Sequence, residues 1–149
     1  MDMQVGKHFS LDEFTVSQEA ARNGIDNTPT KEVIEAIEAL CTQILDPLRE
    51  HFGKPLVISS GYRSPKVNKL VGGVASSQHV LGEAADILVP GIPVADVVAK
   101  IRTLKLPFDQ LIDEFGEWTH VSYTRNKPLR QEVLAARLAK KKKVYFKIK

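Results

Sequence analysis

The sequence predicts an α+β domain with a small, mainly antiparallel sheet, and three observations carry that reading. Helical periodicity lies mainly in the first half of the chain and strand-like segments cluster later. A separator of three residues, Phe115-Gly116-Glu117, stands between two strand segments and is short enough for a hairpin. The 149 residues are 43% hydrophobic and 26% charged, which suits one globular domain and excludes disorder, collagen and coiled coil. No repeat or linker divides the chain, so residues 1–149 read as a single domain with a basic tail at about 139–149.

The elements follow in order. Phe9 to Phe14 reads as a helix start, with Ser10 as cap, Glu13 closing the capping box and Phe9 stapled onto Phe14. A loop marked by Asn23-Gly24 and Asn27-Thr28-Pro29 leads to the main amphipathic helix over 30–50, with Thr28 as its cap and Pro29 at the first helical position. Val33, Ile37, Leu40, Cys41, Ile44 and Leu48 form its apolar stripe, and Pro47 is expected to kink or end it. Leu56 to Ser59 has strand composition, and Ser64-Pro65 starts a short helix that Gly72-Gly73 ends. Ala84 to Val89 reads as a second strand, the stripe from Val94 to Leu104 as a helix, and Phe108–Ile112 and Trp118–Tyr123 as two further strands. Pro128–Leu138 reads as a last helix and Val144 to Phe146 as a terminal strand.

Charge and cysteine content narrow the chemistry. Residues 125–149 carry ten Lys or Arg against one Glu, so residues 1–124, with eleven basic and seventeen acidic side chains, are net acidic. The net charge of +3 therefore comes from the C-terminal segment. Its run Lys140 to Lys143 reads as a solvated end that can also contact an anionic polymer, leaving the chemistry of the body intact. No aromatic platform or recognisable motif points to specific nucleic-acid recognition. No apolar run approaches the roughly 20 residues of a membrane span, and residues 1–14 lack the apolar core of a secretory signal, so synthesis in the cytoplasm is expected. The single cysteine, Cys41, cannot close an internal disulfide or build a Cys-rich site, and its place on the apolar stripe makes it a buried, inert thiol. Any metal must be held by His and carboxylates.

Of four histidines, His8 and His51 read as exposed imidazoles beside helix ends. His79 is followed by Gly82, Ala84 and Asp86, so a turn at Gly82 can fold it back toward a carboxylate on the next strand. Strand alternation puts Trp118, His120 and Ser122 on one face and supplies a third ligand. Two imidazoles and a carboxylate suit zinc and leave a fourth position open, as a catalytic site requires. On spacing alone, His79 and His120 read more often as hydrogen-bonded structural imidazoles than as metal ligands.

The segment Ser77-Gln78-His79-Val80-Leu81-Gly82-Glu83-Ala84-Ala85-Asp86 resembles the Ser-x-His-x-x-Gly-x-Ala-x-Asp signature of the M15 zinc peptidases, a family of D-alanyl-D-alanine carboxypeptidases, dipeptidases and phage endolysins. Ser59 to Ser64 upstream and Trp118-Thr119-His120 downstream are similar to that family in the same order, and the likeness spans roughly Phe9 to Leu134. It implies His79, Asp86 and His120 as zinc ligands and Arg63 as a substrate or transition-state contact, a role its planar fork suits; an ion pair holding the turn is the alternative. Ser77 and Gln78 are expected to orient His79 or touch substrate, and Trp118 to wall the cleft or pack in the core.

A zinc hydrolase also needs a carboxylate to take the proton of the attacking water. Glu117 stands where vancomycin-resistance dipeptidases, with their Glu-x-x-His arrangement, have the base; Glu114 stands where the distantly similar Hedgehog signalling domain has a glutamate; Asp113 is the third candidate. A three-residue hairpin loop places Glu114 on the face of Trp118 and His120, whereas a two-residue loop favours Asp113, and the balance leans to Glu114. The resemblance implies a peptidase acting on peptidoglycan stem peptides, as carboxypeptidase or endopeptidase, reaching the cell wall after release or within a phage particle. A zinc-containing binding or virion module without turnover is the alternative.

Overall fold

Six strands form one open sheet in the order β1-β2-β4-β3-β5-β6. The computed structural model describes residues 3–148. The strands are β1 (Val57–Ser60), β2 (Ala84–Leu88), β3 (Gln110–Glu114), β4 (Trp118–Ser122), β5 (Glu132–Ala139) and β6 (Lys142–Lys147). Every neighbouring pair is antiparallel except β3 and β5, so the α+β, mainly antiparallel architecture is as the sequence predicts.

Alternation divides the sheet into two chemically different faces. Ala85, Ile87, Leu111 and Val121 join a core with Val33, Ile37, Leu40 and Ile44 of the long helix and Val97 and Ile101 of the later one. Asp86, His120 and Ile112 stand opposite one another across β2, β4 and β3, one residue out of step with that set, and so occupy the other face.

The described residues also form six α-helices: α1 (Asp12–Thr15), α2 (Gln18–Arg22), α3 (Lys31–Leu40), α4 (Asp46–Phe52), α5 (Pro65–Leu70) and α6 (Val94–Thr103). The first keeps part of the expected start. Glu13 accepts a hydrogen bond from the Ser10 N–H at 2.7 Å, and Phe9 meets Phe14 edge-on at 6.0 Å, but the cap position itself is Leu11. The cap of α3 is Thr30, whose hydroxyl accepts from the Val33 N–H, rather than Thr28. Thr28 is used earlier, its N–H donating to the Asp26 carboxylate in a tight turn that keeps Pro29 outside the helix.

Pro47 does not end the long helix. Cys41–Leu45 widens into a π-helical turn that joins α3 to α4, and Pro47 then falls in the first turn of α4, where a missing N–H costs little. Cys41 is fully buried, and burial, with Asp46 nearby, pushes its thiol far above the ordinary range. Its expected inertness follows.

The largest difference is at the C-terminus. Pro128–Leu138 is not a helix: Glu132–Ala139 is β5, parallel to β3 and paired with β6. Its Ala, Leu and Arg content favours a helix locally, but a helix there would leave the outer edge of β3 unpaired. The third strand also starts later than expected, at Gln110, because Phe108 turns into the core and the Asp109 N–H donates to the Ser122 carbonyl. Lys140 and Lys141 make the turn between β5 and β6, both with positive φ, and Lys142 and Lys143 open β6. The basic segment is thus largely a sheet edge. No helix among the described residues is long and apolar enough to cross a membrane.

Candidate metal centre

Three side chains from separate stretches of chain converge on the polar face of the sheet. Ser77 caps a 3₁₀ turn (Gln78–Leu81), its hydroxyl accepting from the His79 N–H at 3.2 Å, and Gly82 leaves that turn with φ of 75°. A Cβ at Gly82 would lie 2.7 Å from the Val33 carbonyl oxygen, so both the conformation and the close approach require glycine. The chain then enters β2, where Asp86 pairs across to His120 on β4.

The Asp86 Oδ1 lies 3.0 Å from the His120 Nδ1 and 3.4 Å from the His79 Nε2. One donor atom from each of the three residues falls within 4.8 Å of the others, a spacing that can hold a metal ion. The orientation of His79 also fits. Its Nδ1 lies 2.7 Å from the Gly61 carbonyl, which can only accept, so Nδ1 carries the proton and the Nε2 lone pair faces the cluster. A Cβ at Gly61 would meet the Phe14 backbone at 2.6 Å, which explains why the orienting carbonyl belongs to a glycine. Burial alone would raise the Asp86 carboxyl, but hydrogen bonds and charge from His120 and His79 outweigh it and hold the group well below the usual carboxylate range. It is a ready anionic ligand. His8 is exposed, 3.4 Å from Glu50, and the exposed His51 lies edge-on against Phe52, so neither joins the site.

Three residues separate β3 from β4, and Glu114 faces Trp118 directly across the hairpin, on the face of His120. Glu114 is buried and lines the same cleft as His79, Asp86 and His120. Burial raises its carboxyl above the ordinary value, with His120 and Lys143 pulling it down and Asp86 and Asp113 pushing it up. Glu117 is an exposed turn residue. Asp113 lies on the opposite face and is held by Arg137, with bonds of 3.1 and 3.2 Å from the guanidinium.

Arg63 follows Gly61 closely, and its N–H donates to the His79 carbonyl. Its side chain makes no ion pair among the described residues, and its buried Nε has no hydrogen-bond partner. Burial lowers its pKa while Asp86 and Glu114 counteract. A buried donor without a partner, in a cleft, is poised for an incoming acceptor. Trp118 is half-buried and packs edge-on against Phe115 at 5.9 Å. Arg63, Asp86 and Trp118 line both a cavity of about 600 Å³ that contains the triad and a neighbouring one of about 1020 Å³ along β1. The His79–Asp86–His120 cluster thus sits where two clefts meet.

Gln78 is fully engaged by the protein. Its amide donates to Glu83 at 3.1 Å and to Asp109 at 3.0 Å, and it accepts from Arg130 at 3.3 Å. Arg130 also binds Asp109 through its main-chain N–H at 2.8 Å and its guanidinium at 2.9 Å. This network buttresses the turn that carries His79, and its members Glu83, Asp109 and Arg130 are not foreseen from sequence. Neither are Lys143 and Tyr145 of β6, which line the triad's cleft.

A cluster of two imidazoles and one carboxylate beside a buried glutamate, in an open cleft on an α+β sheet, defines the site of a metal-dependent hydrolase. The family model described as Peptidase M15 matches residues 7–122, and the chain belongs to that family of zinc-dependent metallopeptidases. No curated protein gives a significant match.

Proposed function

We propose that the protein is a zinc peptidase that hydrolyses peptide bonds in peptidoglycan stem peptides. The observation that carries this reading is the placement of Glu114 on the same face and in the same cleft as the His79–Asp86–His120 cluster. When bound, zinc supplies a lowered pKa for water and polarisation of the scissile carbonyl. The chain's own residues do the rest. His79, Asp86 and His120 hold the ion. Glu114, whose burial raises its proton affinity, accepts the proton of the attacking water and passes it to the leaving amine. Arg63 offers its unpartnered Nε–H to a substrate oxygen on the other side of the triad, and Trp118 walls the junction of the two clefts.

Ser77 and Gln78 act in this reading by holding the turn of His79. The substrate is wall peptide, met after release from the cytoplasm or from within a phage particle. The reading is tested by incubating the protein with purified peptidoglycan and identifying the fragments by mass. New amine and carboxyl ends in the stem peptides are expected, and lost on chelation. Intact peptidoglycan in the presence of zinc-loaded protein would leave a binding module of the same fold.

A further inference from the structure

The register of the C-terminal hairpin brings β6 into the site. Across the sheet, Trp118 faces Glu114, Glu114 faces Ala136, and Ala136 faces Tyr145, so all four side chains share the face of the metal cluster. Two residues along β6 on that same face is Lys143, opposite Leu138. Ala136, between Glu114 and Tyr145, is fully buried, so the accessible surface at this end of the row belongs to the exposed Tyr145 and Lys143. Tyr145 and Lys143 both line the cleft that holds His79, Asp86, Glu114 and His120. Lys143 is near enough for its charge to act on Glu114, and it makes no ion pair among the described residues. The cleft's other cation on this side, Arg130, is already bound to Asp109. Strand β6 also lies wholly beyond residues 7–122, so nothing in the family match assigns it a role.

We infer that β6 is a wall of the substrate cleft, in which Lys143 pairs with a carboxylate of the peptide and Tyr145 packs beside it. An exposed ammonium with no ion pair among the described residues, lining the same cleft as the His79–Asp86–His120 cluster, is a receptor for a substrate anion. This rests on the peptidase reading and adds a specificity determinant to it. In a stem peptide such a carboxylate has two sources, the C-terminus or the free carboxyl of a D-glutamyl residue.

The test uses the zinc-loaded full chain and three probes: the pentapeptide L-Ala-γ-D-Glu-L-Lys-D-Ala-D-Ala, its C-terminal amide, and its D-isoglutamine form. Cleavage rates and amide chemical-shift changes on binding are both read for the wild type, Lys143→Gln, Lys143→Arg and Lys141→Gln. The parent peptide is expected to lose roughly tenfold in affinity or kcat/KM with Lys143→Gln, the size of one charge-assisted contact, and to recover largely with Lys143→Arg. One of the two neutralised peptides should show no dependence on Lys143 and thereby identify the carboxylate. Lys141→Gln removes the same charge from the turn and should change nothing.

Binding that persists without cleavage, and still depends on Lys143, would overturn the peptidase reading and keep the contact. Equal losses for all three peptides, or none, would overturn the contact and leave the peptidase reading standing. A wild type that neither binds nor cleaves any of them overturns both.

Discussion

Glu114 and Glu117 are three residues apart, yet one is buried in the cleft and the other lies exposed in a turn. Replacing Glu114 with Gln keeps the size and removes the basic oxygen, so turnover should fall roughly a hundred- to ten-thousandfold while zinc stays bound. Glu117→Gln should stay near normal, and the pair is compared by steady-state kinetics with metal content measured on the same samples. The ligands make the complementary case. Alanine at His79, Asp86 or His120 leaves two donors, and elemental analysis should show zinc lost from a protein that keeps about one ion per chain when unaltered. The convergence of His79, Asp86 and His120 was legible in the sequence, weakly from a turn at Gly82 and strand alternation and mainly from the likeness of residues 77–86 to a metallopeptidase signature. The carbonyl of Gly61, the Gln78–Asp109–Arg130 network and Tyr145 were not, since each depends on a contact between segments distant in sequence.

The connection from β1 to α5 is where an element-level change should reach the metal. Gly61 has no room for a methyl group against the Phe14 backbone, and its carbonyl orients His79. Gly61→Ala should cost about 1–3 kcal/mol in urea unfolding, as overpacking does elsewhere, and should also weaken zinc binding in a competition titration with a chelator. A purely structural role would move only the first measurement. The same element-level forces explain where sequence patterns mislead. Residues 132–139 have helix-favouring side chains but meet an open strand edge, and the pairing with β3 decides. Residues 30–50 show the correct stripe, while the accommodation of Pro47 by a π turn depends on backbone spacing that side-chain periodicity does not encode. The hairpin between β3 and β4 was readable because its loop length and its turn residues agree.

At the scale of the whole molecule, the Arg130–Asp109 pair fastens the strand β3 to the connection that precedes β5 and, through Gln78, to the turn that carries His79. Burial alone would raise the Asp109 carboxyl, but the bonds and charge from Arg130, with the bond from Gln78, outweigh it and hold the group below its ordinary value. A folded-state pKa depressed in this way stabilises the protein fully above the unfolded carboxyl's pKa of about 4, and that contribution is lost as pH falls through the folded value. Asp109→Asn should therefore cost roughly 1 kcal/mol at neutral pH, a modest figure because Arg130 is half-exposed, and the gap to wild type should close in acid. Urea titrations of both proteins from neutral pH down through the carboxylate range check the sign.

The pairing of β5 with β3 ends at Ala136 opposite Glu114, while β5 continues to Ala139 against β6 alone. The last rungs, from Arg137 opposite Val144 to Ala139 opposite Lys142, form a two-stranded ribbon with no third strand behind them. Their amide protons should exchange with solvent earlier than those of the central strands, and the exposed lysines at its tip should be the first sites clipped by trypsin. A nick there breaks the covalent link to Tyr145 and leaves the segments carrying His79, Asp86 and His120 uncut. Brief digestion followed by chelation and metal replacement should return a protein that still takes up its ion, so recognition of the peptide and retention of the metal would age at different rates in a protease-rich setting.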